Sequence, residues 1–287
     1  MSLSIKLFLF CCLISFPNVY GQTKTIAGRI MSGVESVPYA TIGVKGKNIG
    51  SVSDENGQFK IEFKMDQFSP QKDELIISCL GFADLVLPCK NIKLNEPLIV
   101  PLVKTEITLR EVTVVPGKPK EKRYGKRSSA IMTSRAIFVH GEQINDALGR
   151  EIGMIMKIDD NSSLKDFNVF VTGNQFKSVK FRLKFYDIGG NEPALIPLSK
   201  DIIFDVIEPK GWVKVDLRPY HIFLTGKEKI GVTMQWIEST PLNEKSRYFV
   251  ISAGTSISSN GLYRPKSESA WTYPRHNLSM YLTADIY

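Results

Sequence analysis

Histidine, cysteine and long apolar runs are all scarce in this 287-residue chain, and each shortage removes a class of function. The three histidines, His140, His221 and His276, stand alone with no HxxE or HExxH spacing. A zinc peptidase needs a closely spaced His/Glu pair and a distant His to leave an open metal position, so no metal and no cofactor is expected. No GxSxG, SxxK, GxxxxGK[ST] or GxGxxG occurs, which removes the local signatures of nucleophilic and phosphate-binding sites. The carboxylates Asp159 and Asp160 are adjacent loop residues that face solvent rather than each other, and the serine-rich stretch 254–261 reads as a surface loop. No catalytic residue is therefore assigned, and the expectation is that the protein is not an enzyme.

The longest apolar run, 7–16, follows Lys6 and precedes small residues at Val19 and Gly21. Spanning a membrane takes about 20 apolar residues, so the run reads as an export signal over 1–21 that leaves Gln22 first and no transmembrane segment. The expected location is the periplasm, the outer-membrane surface or the medium. Cys11 and Cys12 do not fit a lipid-modification box, since Phe10 rather than a small residue precedes them. Cys79 and Cys89 remain, an even pair that an oxidising compartment permits to form a disulfide, with a buried hydrophobe and a loop thiol as the alternative.

The formal net charge is +8, and removal of the signal lowers it by one. Much of the excess lies in 116–127, where Lys118, Lys120, Lys122, Arg123, Lys126 and Arg127 face only Glu121. With Pro116, Gly117, Pro119 and Gly125 among them, these residues predict a solvated basic linker over 116–130 between two domains, 22–115 and 131–287. Such a linker could lie along an anionic envelope surface. The remainder is close to neutral, which argues against nucleic acid as a partner.

Apolar residues alternate at period two, as in Phe59/Ile61/Phe63, Val179/Phe181/Leu183/Phe185 and Val213/Val215/Leu217, with turn signals between them. The fold class is therefore all-β. In the first domain, strands around 27–33, 37–46 and 74–82 flank a hairpin over 49–63 that hinges on the SDENG turn, 53–57. There Asp54 caps the turn, while Asn56 and Gly57 accept positive φ. The same turn offers oxygen ligands, but position twelve from Asp54 is Met65, so a calcium loop is not expected. In the second domain, strands near 167–172, 179–186, 202–207, 212–217, 230–237, 248–253 and 278–284 suit a jelly-roll-like sandwich, with the segment 144–158 open between helix and strand.

Gly28, Pro38, Ala40, Val44, Lys45, Gly46, Gly50, the SDENG turn, Phe59, Ile77, Ser78, Gly81 and Phe82 occur in an order that resembles the carboxypeptidase-regulatory-like domain. The likeness runs to about Val103, and LREVTVV at 109–115 looks like its closing strand. The resemblance implies a small Greek-key, transthyretin-like β-sandwich. It also implies a non-catalytic accessory of the kind found at the N-termini of exported Bacteroidota-type envelope proteins, including outer-membrane transporters. The second half resembles β-sandwiches of uncharacterised envelope proteins of the same bacteria.

Aromatic side chains are the remaining chemical resource, because their faces pair with the apolar faces of sugar rings. Trp212 and Trp236 lie inside alternating strands and are expected in the core. Trp271, Tyr273 and Tyr263, with Arg264 and Arg275, sit in a polar loop over 263–276 and form the candidate binding rim. The partner expected is a glycan or an envelope protein. Two alternatives are a glycan-active enzyme assembled from distant residues on the second sandwich, and a component of an outer-membrane assembly.

Overall fold

The computed structural model describes residues 23–106, 118–129, 134–139 and 147–287, with 134–139 as backbone. The export signal expected over 1–21 and the closing strand expected over 109–115 lie outside the described residues.

The first unit runs β1 (Thr23–Ser32), β2 (Glu35–Ser36), β3 (Thr41–Val44), β4 (Gly50–Val52), β5 (Gln58–Lys64), β6 (Glu74–Ser78), β7 (Leu85–Pro88) and β8 (Pro97–Pro101). Two four-stranded sheets form. In one, β1 pairs with β2, with β5 antiparallel and with β8 parallel; the other has the order β4-β3-β6-β7. In β5 the alternation is strict, with Phe59, Ile61 and Phe63 inward and Gln58, Lys60, Glu62 and Lys64 outward. These three meet Ile26, Ile30, Ile42, Leu75 and Ile77 in one apolar cluster, each side chain contributing roughly 1.5–3 kcal/mol by leaving water. β3 and β4 differ, because every residue in them is buried. Their second face is covered too.

The SDENG segment is not the hinge of a hairpin. β4 pairs with β3 and β5 pairs with β1, so the turn carries the chain from one sheet to the other. Asp54 Oδ1 accepts hydrogen bonds from the backbone N–H of Asn56 (2.9 Å) and Gln58 (2.8 Å). Only Gly57, at φ 73, takes a left-handed conformation. A carboxylate engaged by two backbone donors is a corner clamp, and Asp54→Ala is expected to cost about 1 kcal/mol, seen as a lower urea midpoint with an unchanged slope.

The second unit begins with β9 (Lys120–Gly125), β10 (Ser134–Val139), β11 (Glu151–Lys157), β12 (Ser162–Asn174), β13 (Phe176–Asp187), β14 (Ala194–Leu195) and β15 (Ile202–Val206). It continues with β16 (Gly211–Asp216), β17 (Phe223–Leu224), β18 (Lys229–Pro241), β19 (Tyr248–Thr255), β20 (Gly261–Arg264), β21 (His276–Leu278) and β22 (Met280–Ile286). An eight-stranded sheet is built on β10-β19-β12-β22-β9, and a six-stranded sheet on β14-β13-β18-β11-β20. They face each other across a second core, in which Trp236, Phe167, Phe181, Phe185 and Phe249 are fully buried. Within 144–158, the part 151–157 is strand. Among the described residues, no helix is long and apolar enough to cross a membrane.

The basic segment is not a linker throughout. Lys120–Gly125 is the edge strand β9, antiparallel to β22 with Tyr124 opposite Leu282. Tyr124 alone points into the core, and the charged neighbours stay outside. Lys and Glu on an edge also discourage pairing with a second sheet, which is how so polar a stretch can be a strand. Lys122 is bound to Asp159 (2.6 Å) and Glu121 to Lys165 (2.9 Å), so part of the charge expected to meet an anionic surface is neutralised within the fold.

Cys79 and Cys89 are free thiols, contrary to the disulfide the sequence permits. The β6–β7 register explains why. Glu74 pairs with Pro88 and Ile77 with Leu85, so Cys89 lies at one end of the pair and Cys79 at the other. Cys89 is level with Asp73, whose carbonyl accepts its N–H; a rise of about 3.3 Å per residue from there to Cys79 separates them by roughly 20 Å, against the ~7 Å that a bond tolerates. Burial pushes both thiols up to about 11.

Candidate functional site

Three aromatic residues gather on the outer face of the eight-stranded sheet. Phe167, Val169 and Val171 on β12, Val213 on β16, and Met280, Leu282 and Ala284 on β22 point into the core. Alternation therefore sends Phe170, Trp212 and Tyr281 outward. Phe170 is directly opposite Trp212 across β12–β16, and Tyr281 is opposite Asn168 across β12–β22. Trp212 meets Phe170 edge-on at 5.3 Å and Tyr281 edge-on at 5.2 Å. It remains 39% exposed, so it is not the core residue expected from the sequence.

Cations are delivered to the same place by the basic segment. Arg123 sits on β9 opposite Thr283. After it, Gly125 at φ 106 turns the chain off the sheet edge. The turn is held by Lys126 N–H donating to the Met280 carbonyl (2.8 Å) and by Ser279 Oγ–H donating to the Ser128 carbonyl (2.7 Å). Arg123, Arg127, Ser128, Trp212 and Tyr281 together line an open depression of about 540 Å³. On the same face Asp166 is taken up by Asn168 and by Lys214 (3.4 Å), so its charge is matched within the sheet. The lining combines an aromatic surface with two guanidinium groups and contains no carboxylate. Such a surface can stack a ring and hold an anion. It offers no acid–base pair.

The rim expected over 263–276 is divided by the structure. Arg264 is buried and donates to Glu151 Oε2 from Nη2 (2.7 Å) and Nε (3.0 Å), so it is not a rim cation. Trp271 lies over the Arg264 guanidinium at 4.6 Å and meets Tyr186 edge-on at 5.1 Å, which makes it the cover of this buried ion pair. Tyr263 is half-buried and exchanges backbone hydrogen bonds with Thr272. Tyr273, 40% exposed, and Arg275 remain on the surface. Among the described residues, no three His, Cys, Asp or Glu side chains gather to hold a metal ion.

The first sandwich is docked on the six-stranded sheet. Tyr39 donates its hydroxyl to Glu238 (2.9 Å), and Arg182, held by Asp201, donates to the Tyr39 carbonyl (2.8 Å). Ser267 Oγ donates to the Ser51 carbonyl (2.8 Å), Ser269 Oγ to that of Lys47 (2.9 Å), and the Gly46 N–H to that of Glu268 (2.8 Å). The 267–269 loop is thus what covers the outer face of β3 and β4.

With this geometry in place, the family comparison is decisive for the first unit: the model of the CarboxypepD_reg-like domain matches residues 26–114. The N-terminal sandwich is a carboxypeptidase-regulatory-like domain. The match confirms the resemblance carried by Gly28, Pro38 and the SDENG turn, and it fits a non-catalytic accessory module. No curated protein matches the chain. Among solved structures, infectious bursal disease virus Gx strain aligns over 92% of this chain and 56% of its own, with 8% identity and a TM-score of 0.25. The chain thus spans little more than half of that structure's length, and so loose a superposition says nothing about function. The open aromatic face belongs to the second sandwich, outside the carboxypeptidase-regulatory-like domain.

Proposed function

We propose that this is a non-catalytic exported envelope protein, in which the carboxypeptidase-regulatory-like domain is an accessory and the second sandwich binds a ligand on its Trp212–Tyr281 face. The observation that carries the proposal is the lining of the depression: an exposed tryptophan and a half-buried tyrosine with two arginines and no carboxylate. A hydrolase on this scaffold needs two carboxyl groups flanking the bond it cleaves, at roughly 5–10 Å from each other, and the lining of the depression holds none. Export is supported by Lys6 and the apolar run that follows it.

Two measurements test the two halves of the proposal. Fractionation of the native cell with intact-mass analysis is expected to find a mature chain beginning at Gln22 in the envelope, and an uncleaved cytosolic chain would refute export. A ligand array probed with the full mature chain is expected to give hits that Trp212→Ala removes. A blank array, or hits indifferent to that substitution, would leave the face without a binding role.

A further inference from the structure

The composition of the depression defines the chemistry of its occupant. Trp212 and Tyr281 offer ring faces of the kind that pack against the C–H face of a pyranose. Arg123 and Arg127 offer planar donor forks, which match a carboxylate with two parallel hydrogen bonds and do so far better than an ammonium would. A neutral sugar would offer the guanidiniums hydroxyl acceptors but no counter-charge. A carboxylate without a ring would satisfy the arginines and leave the tryptophan uncovered. A single sugar residue bearing a ring-attached carboxylate satisfies both.

The surroundings reinforce this. Arg123 has Glu121 at 3.6 Å, a distance too long for a hydrogen bond and on an exposed edge, so the guanidinium keeps donors for a ligand. An openly shaped, shallow lining suits a segment within a chain of sugars better than a buried monosaccharide, which favours an oligosaccharide lying across β9, β22 and β16.

We propose that the Trp212–Tyr281 depression binds an acidic oligosaccharide through a uronate residue, whose ring stacks on Trp212 while its carboxylate is held by Arg123 and Arg127. The inference rests on the ligand-binding role argued above and narrows it to one ligand class.

Calorimetric titration of the full mature chain distinguishes the two levels. The probes are hexamers of galacturonic, glucuronic and mannuronic acid, the neutral galactose, glucose and mannose hexamers, and a sulfated galactose hexamer. At least one uronate hexamer is expected to bind about tenfold or more tightly than its neutral counterpart, with affinity falling as salt is raised. Trp212→Ala is expected to weaken it about tenfold or more. Arg123→Gln with Arg127→Gln is expected to abolish the preference for the acid while leaving weak stacking affinity. Trp212, Arg123 and Arg127 are surface residues, so an unchanged melting temperature confirms that each variant is folded. Equal affinity for neutral and acidic hexamers, lost in Trp212→Ala, would overturn the uronate assignment and leave the binding face standing. A preference for the sulfated hexamer would overturn the carboxylate in favour of a sulfate. Uronate binding that ignores all three substitutions, or no binding by any hexamer, would overturn the proposal outright.

Discussion

Glu151→Ala is expected to destabilise the second sandwich by about 3–5 kcal/mol, the range typical of removing one member of a buried ion pair. Glu151 is fully buried on β11. Its carboxylate accepts from Arg264 (2.7 Å), from the Tyr186 hydroxyl (2.6 Å) and from Thr233, and the Lys184 ammonium lies 3.5 Å away. Every donor there was aligned by the β20-β11-β18-β13 register, which sets Arg264 opposite Glu151 and Thr233 opposite Lys184. Without the carboxylate, the buried guanidinium under Trp271 loses its hydrogen-bonded counter-charge. Urea unfolding of the variant should show the loss as a lower midpoint, and a change under about 1 kcal/mol would mean that Arg264 finds another acceptor.

The same cluster sets a pH signature. Burial would raise the Glu151 carboxyl, but the Arg264 and Lys184 charges and two hydrogen bonds outweigh it and hold the group at about 2. Its stabilisation is therefore complete above about 4.5 and is lost as pH falls from there towards 2, on the order of 3 kcal/mol across the interval. Lys184 moves oppositely. Burial lowers it to about 8, with Glu151 opposing the fall. Between about 8 and the ordinary lysine value the unfolded chain holds the extra proton, so this group makes the fold more stable as pH rises. Glu151→Gln should flatten the acid limb.

Much of the fold could be read from period-two alternation, and the two tryptophans show both its strength and how it was misapplied. Ile230, Val232 and Met234 share a register with Trp236, which is buried as the alternation requires. Val213 and Val215 define the inward register of β16, and Trp212 lies in the opposite one. Its position on the outer face was in the sequence, hidden only by the habit of assigning tryptophan to cores. Arg264 failed for the converse reason. Its neighbours are polar, and nothing local reveals that its carboxylate partner is 113 residues away on β11. The basic segment was ambiguous in principle, because an edge strand with one inward tyrosine and a solvated spacer have nearly the same composition. The SDENG turn was legible as a turn but not as a corner, since which strand pairs with which is decided by distant partners.

Gly43→Val is expected to separate the carboxypeptidase-regulatory-like domain from the second sandwich while leaving each folded. Ile42 and Val44 on β3 point into the first core, so Gly43 faces the other way, towards the 267–269 loop. A Cβ at this position would sit 2.1 Å from the Ser267 carbonyl oxygen, a backbone atom that a rotamer change cannot move. Gly50, beside it across β3–β4, is in the same position at 2.5 Å. Two glycines facing one carbonyl are what allow the loop to lie flat on the sheet, and the hydrogen bonds to Ser51, Lys47 and Gly46 depend on that approach. Losing all three would remove about 3 kcal/mol of docking at roughly 1 kcal/mol each. Calorimetry should then resolve two unfolding transitions where the native chain gives one, and small-angle scattering should report a larger radius of gyration. A single transition with unchanged scattering would show that the Tyr39 contacts to Arg182 and Glu238 suffice. Since Trp212 lies on the opposite sheet of the second sandwich, affinity for its ligand should survive the separation. Docking would then set where the binding face points, not whether it binds.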